Sequence, residues 1–167
     1  LVGKYDLQDA YKSILESLAH AGTYNDHKVE TQFINSEHVS ADNVGELLKD
    51  MDGIVICPGF GQRGIEGKII AAQYAREHDM PAFGICLGMQ MMVIEFARNV
   101  LGYKDANSRE MDVKTTHNVI DIMEEQKNIT NMGGTMRLGA YDCQLREGSR
   151  TWEAYGHQEC VHTLHSV

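Results

Sequence analysis

Pro81-Ala82-Phe83-Gly84-Ile85-Cys86-Leu87-Gly88 runs from an apolar stretch of strand length into a cysteine set between glycines, and Met89 to Val100 continues in a helical register. A strand that feeds a helix through so short a turn, with glycine on either side of a nucleophilic residue, has the pattern of a nucleophile elbow with Cys in place of Ser. Upstream, Asp52-Gly53-Ile54-Val55-Ile56-Cys57 is a second strand-length apolar run, stopped by Pro58-Gly59-Phe60-Gly61. Uninterrupted apolar runs suit parallel strands buried on both faces. Both are therefore expected inside one parallel sheet, with Cys86 at the carboxyl end of a central strand.

The same rhythm extends in both directions. Leu1 to Tyr5 predicts a short strand, and Tyr11, Ile14, Leu15 and Leu18 a helix capped by Asp6 or Asp9 and ended by Gly22. Lys28 to Ile34 predicts a strand and Asn43 to Leu48 a short helix. Ile65, Ile69, Ala72 and Arg76 mark a helix between Gly64 and His78, and Gly102 stops the helix that begins at Met89. Beyond it come an apolar Val119 to Met123, a Gly133-Gly134 turn and a strand over Ala140 to Leu145. Alternating strands and helices predict an α/β fold, a doubly wound and mainly parallel sheet with helices on both faces and ligands at the strands' carboxyl ends.

The 167 residues suit one domain, and 43% hydrophobic residues with only 2 prolines supply a core. A formal charge of −9 argues against nucleic acid or an anionic membrane as the main partner. No apolar run approaches a membrane span and the start has no signal-like pattern, so the expected location is cytoplasmic. Cys57, Cys86, Cys143 and Cys160 are too widely spaced to read as a disulfide framework. Leu1, lying directly inside an apolar stretch, suggests a segment of something longer.

At the elbow, the helix N-terminus favours a thiolate at Cys86, and the Leu87 amide is placed to donate to an oxyanion. Gly59, at the end of the neighbouring strand, is the choice for the second donor, since glycine lets backbone approach a substrate carbonyl. The competing readings are a buried cysteine packing as a small hydrophobe and a Pro-Gly-x-Gly that only turns the chain.

Gly53 to Gly67, Phe83 to Asn107 and Met132 to Gly139 resemble the glutamine amidotransferase domain of the CTP synthase family. The segments PGFGQRGIEGK, GICLGMQMMVIEFARNVLG, DANS and MGGTMRLG, with VGKYDLQDAYKS at the start, carry the resemblance over most of the chain. It implies a class I, flavodoxin-like amidotransferase fold over residues 1–167. It also implies that Cys86 attacks the side-chain amide of L-glutamine, releasing ammonia and leaving a glutamyl thioester. Gly59, Leu87, Gly88, Met89 and Gln90 would then line the substrate pocket and Glu110 would grip the amino acid's polar end. Met89, Met91 and Met92 are expected to serve mainly as core packing. No metal or cofactor is implied in this domain. In the whole enzyme, an N-terminal synthetase domain absent from this chain would use ATP and Mg²⁺ to aminate UTP to CTP, with GTP as activator, in a homotetramer.

The family completes its triad with His and Glu in a His-Pro-Glu stretch well over a hundred residues past the nucleophile, and an Arg-rich stretch supplies another glutamine contact. Neither is found in these 167 residues, so the domain is expected to lack its C-terminal part and the chain alone to be inactive. His157-Gln158-Glu159 has the His-x-Glu spacing but follows MGGTMRLG too closely and has the wrong neighbours. His157, Cys160, His162 and His165 are the residue types of a zinc site, although a solvated polar tail explains the run more simply. Gly133-Gly134-Thr135 lacks the ending of a phosphate loop. The opening KYDLQ is one residue short of the family pattern, and Thr116 stands where the family often has proline before His117. Two other functions compete: a γ-glutamyl-hydrolase-like cysteine hydrolase, which would lack DANS and MGGTMRLG, and a catalytically incomplete interaction or regulatory module.

Overall fold

Ile54 and Ile56, at 5% and 0% exposure, anchor a strand whose neighbours on both sides run parallel to it. The computed structural model describes residues 1–6, 8–121 and 137–166, with backbone only at 8, 137–141 and 162–166. These divide into two compact units, Leu1–Ile122 and Met123–Val167. In the first, β1 (Val2–Gly3), β2 (Ile34–Asn35), β3 (Ile54–Ile56) and β4 (Ala82–Gly84) form a parallel sheet in the order β2-β1-β3-β4. Its helices are α1 (Lys12–Tyr24), α2 (Val44–Leu48), α3 (Ile65–Glu77) and α4 (Leu87–Asn99). A short parallel pair follows, β5 (Asn107–Ser108) with β6 (Asn118–Ile120). The second unit contains β7 (Arg137–Gln144), α5 (Arg150–Ala154) and β8 (Cys160–Ser166), with β7 and β8 antiparallel. The fold is the α/β type that the alternation predicts, in the flavodoxin-like form that the resemblance implies.

Helix α3 is the hub because it has two apolar faces. Ala71, Ala72 and Ala75 are small enough to press it onto the cluster of Val2, Ile34, Ile54 and Ile56. Ile65 and Ile69 pack instead with Leu87, Met91 and Ile94 of α4. Gly67 lets the same helix touch the turn after β2, where an added Cβ would come 1.8 Å from the Ser36 carbonyl oxygen. Glu95 of α4, only 2% exposed, is satisfied by Arg76 of α3 through contacts of 2.7 and 3.1 Å and by Asn99 Nδ2 at 3.1 Å. These contacts fix the two helices that bracket the elbow.

Several expectations are corrected. Strand β4 is at the sheet's edge among the described strands, and Phe83 is 66% exposed, so the strand leading to Cys86 is neither central nor fully buried here. Lys28 to Phe33 is not strand: only Ile34 and Asn35 reach register with β1, and Val29 and Phe33 stay exposed. Helix α1 begins after a 3-10 turn at Gln8–Tyr11, without the Asp6 or Asp9 cap, and runs through Gly22 to Tyr24. The C-terminal run is no irregular tail, because pairing with β7 makes a strand of Cys160–Ser166. The turn at Gly133-Gly134 and the MGGTMRLG segment up to Met136 lie outside the described residues.

Candidate active site

Cys86 has φ 53° and ψ −115°, a conformation that costs a residue with a Cβ energy and that the surrounding packing must impose. The imposing contacts are at the two glycines. A Cβ on Gly88 would come 1.9 Å from the Ile56 carbonyl oxygen, and one on Gly84 2.6 Å from the Met89 nitrogen. The start of α4 is thus pressed onto the end of β3, and Ile85 N–H donates to Ile56 O at 3.0 Å. Leu87 occupies the first helical position, where a backbone N–H has no intrahelical acceptor. The elbow holds the thiol at the carboxyl end of β4, partly exposed and with no hydrogen-bond partner among the described residues.

All four cysteines are free thiols. Cys57, at 0% exposure, has its pKa pushed up by burial. Cys143 and Cys160 are partly exposed, in the second unit.

Gly59 stands in the loop leaving β3, the strand hydrogen-bonded to β4, so Gly59 and Cys86 emerge from adjacent parallel strands on the same side of the sheet. Its N–H finds no acceptor among the described residues. The loop wraps over Lys4, whose Cδ would lie 2.7 Å from a Cβ at position 59. On the elbow side, Gln90 Oε1 is buried without a partner among the described residues, an acceptor available to a ligand donor. Met91 is fully buried and Met92 packs against the core, whereas Met89 is 39% exposed and not core, since it stands in the first turn of α4 beside the elbow.

Glu110 is exposed in the turn after β5, and its N–H donates to Ser108 Oγ at 3.3 Å. Gln62 Nε2 donates to Met111 O at 2.8 Å, which ties the glycine loop's continuation to the turn that carries Glu110. Asp105 braces the same region from below. It accepts from Thr116 N at 2.7 Å, from Thr116 Oγ1 at 2.6 Å and from His117 Nδ1 at 2.5 Å, contacts that hold its carboxyl well below the usual range. Thr116 therefore supplies two donors that a proline there would lack. Tyr103 stacks on His117 with centroids 4.5 Å apart.

His157 is in the other unit, exposed at φ 65° with its ring 4.2 Å from that of Trp152. Among the described residues no group of three or more His, Cys, Asp or Glu could hold a metal, and the side chains of His162 and His165 lie outside the description. No helix among the described residues is long and apolar enough to cross a membrane.

The sequence reading missed Lys4 and Lys68, buried at 1% and 0% exposure against the glycine loop. A signal existed for Lys68, three residues after Ile65 and directly before Ile69, on a helix face otherwise apolar. Lys4 had none, since an extended segment of five residues carries too little periodicity.

The family description "Glutamine amidotransferase class-I" matches residues 6–166. The CTP synthase of Bacteroides thetaiotaomicron is 70% identical over 158 residues, 95% of this chain and 29% of the relative. That of Porphyromonas gingivalis is 64% identical over 166 residues, 99% of this chain and 31% of the relative. The chain thus spans about three tenths of the length of these relatives. Among solved structures, the Trypanosoma brucei CTPS glutaminase domain with bound acivicin matches with a TM-score of 0.89 and 37% identity, covering 99% of this chain and 64% of that one. With an elbow cysteine, a glycine loop on the adjacent strand and a family match over nearly its whole length, the chain belongs to the class-I glutamine amidotransferases.

Proposed function

We propose that this chain is the glutamine-hydrolysing domain of a CTP synthase. The observation that carries the reading is the strained backbone of Cys86 at the start of α4, held there by backbone contacts at Gly84 and Gly88. The high identity to two CTP synthases over nearly all of the chain selects this branch of the family.

In this reading the Cys86 thiolate adds to the side-chain carbonyl carbon of L-glutamine, and the carbonyl π pair moves onto oxygen. The N–H groups of Gly59 and Leu87 donate to that oxyanion, a contact stronger in the transition state than in the bound substrate. The carbonyl reforms, the C–N bond breaks, and the nitrogen takes a proton and leaves as ammonia. Water then adds to the thioester, the C–S bond breaks, and glutamate departs. Gln90 Oε1 accepts from a substrate N–H, and Glu110 pairs with the α-ammonium group. Leu87, Gly88 and Met89 offer backbone on the elbow side of the pocket.

The acid-base pair is proposed to be the family's His and Glu, supplied from outside these 167 residues. The ammonia serves a synthetase domain that binds ATP, Mg²⁺ and UTP, with GTP as activator, in a tetrameric cytoplasmic enzyme. The relatives' greater length supports a further domain in such an enzyme.

The test is incubation with a glutamine-shaped chloroketone followed by peptide mass spectrometry. The adduct is expected on Cys86 and absent from Cys57, Cys143 and Cys160. Labelling that persists in Cys86→Ala, or that free glutamine does not slow, would overturn the proposal.

A further inference from the structure

Burying an ammonium group is costly, and a hydrophobic residue of similar size usually stabilises a core better. The fold nevertheless buries Lys4 and Lys68, and neither forms an ion pair among the described residues. Both spend their donors on the backbone of one loop. Lys68 Nζ donates to Cys57 O and, at 3.5 Å, lies against Pro58 O. Lys4 Nζ donates to Phe60 O and, at 2.8 Å, to Gly61 O. Two tyrosines complete the set: Tyr11 Oη is 3.4 Å from Pro58 O, and Phe60 N–H donates to Tyr5 Oη at 3.0 Å.

The consequence follows from peptide geometry. In a trans peptide the carbonyl of one residue and the N–H of the next point in opposite directions within one plane, and no peptide here is cis. With Pro58 O drawn inward to Lys68 and Tyr11, the Gly59 N–H must point outward. With Phe60 O and Gly61 O drawn to Lys4, the N–H groups of Gly61 and Gln62 point outward too. The loop thus shows N–H groups on one side and is backed by two cations on the other, a concentration of positive potential that favours a developing negative oxygen.

We infer that Lys68 and Lys4 are positioning residues for glutamine hydrolysis, which fix the direction of the Gly59 amide as an oxyanion donor by gripping the carbonyls on both sides of it. The inference rests on the proposed roles of Cys86 and Gly59. Lys68 also lies within electrostatic reach of Cys86, Cys57 and Lys4, the groups that face it, and burial lowers its pKa to about 8.

The test compares two alkylations of Cys86 in this chain. A glutamine-shaped chloroketone develops an oxyanion as the thiol attacks, so it needs the aimed amide, while iodoacetamide reports only on the thiol. In Lys68→Met and Lys4→Met the chloroketone rate is expected to fall at least about 10-fold, a fraction of the roughly 100-fold or greater loss on deleting an oxyanion donor. The iodoacetamide rate should stay within about threefold, and Lys68→Arg should recover most of the chloroketone rate. Protection of the buried Cys57 from iodoacetamide certifies the fold of each variant, and if one Met variant exposes Cys57 the other decides. Unchanged chloroketone rates, or equal losses with both reagents in a variant that protects Cys57, would overturn the inference. Wild-type chain that reacts with iodoacetamide but not with the chloroketone would instead overturn the glutamine-hydrolysing reading, and this inference with it.

Discussion

Cys86 pays in stability for its position. A residue with a Cβ at φ 53° and ψ −115° carries strain on the order of 1–3 kcal/mol that glycine does not feel. Cys86→Gly is therefore expected to raise the melting temperature by a few degrees while abolishing chloroketone labelling; calorimetry showing a lower melting temperature would contradict the strain. Lys68 makes a second statement about stability. Its pKa falls from 10.5 to about 8 on folding because burial disfavours the charge. Between those values the unfolded chain holds a proton that the folded chain has lost, so its contribution to stability rises with pH through that window and is flat below it. Urea unfolding across pH 8 to 10.5 should show the wild type gaining on Lys68→Met by up to about 3 kcal/mol. A difference independent of pH would show that the lysine titrates alike in both states.

Helix α3 is held by contacts that tolerate little change. Gly67 is pressed against Ser36 backbone, which cannot swing aside as a side chain would, so Gly67→Ala should cost about 2–3 kcal/mol even though alanine is the better helix former. Denaturant melts of that variant beside a substitution at exposed Glu77 would check it. The α3–α4 contact depends on Arg76 and Glu95, and removing the arginine leaves a carboxylate at 2% exposure uncompensated. Arg76→Met is expected to cost about 3 kcal/mol, and the double variant Arg76→Met/Glu95→Met to recover much of it. A loss in the double variant equal to the sum of the two single ones would mean that the pair does not interact.

For the molecule as a whole, the proposed chemistry needs a general acid-base group at Cys86, and none of the described residues hydrogen-bonds to its thiol. Ammonia release by these 167 residues is expected to be roughly 100-fold to 10,000-fold slower than by a protein extended through the family's His-x-Glu segment. Equal, Cys86-dependent rates from the two proteins would refute that, and loss of the short chain's activity in His157→Ala would identify His157 as the base.

Much of this was legible in the residues because its causes are local. The apolar runs ending at Cys57 and Ile85 and the period of Ile65, Ile69 and Ala72 determined strand, helix and their alternation, since side-chain spacing on a single element decides which face can be buried. The glycines around Cys86 determined the elbow, because only residues without a Cβ pass so close to backbone. What depended on partners far along the chain was decided by the tertiary structure. Lys28 to Phe33 looked like a strand, but pairing with β1 extends only to Ile34 and Asn35; β4 read as central, yet strand order has no trace in its own three residues. Cys160–Ser166 became a strand only through its partner 137–144. The grip of Lys4 and Lys68 on the loop around Gly59 joins residues up to 57 positions apart, and a lysine is polar in any local pattern until the fold closes over it.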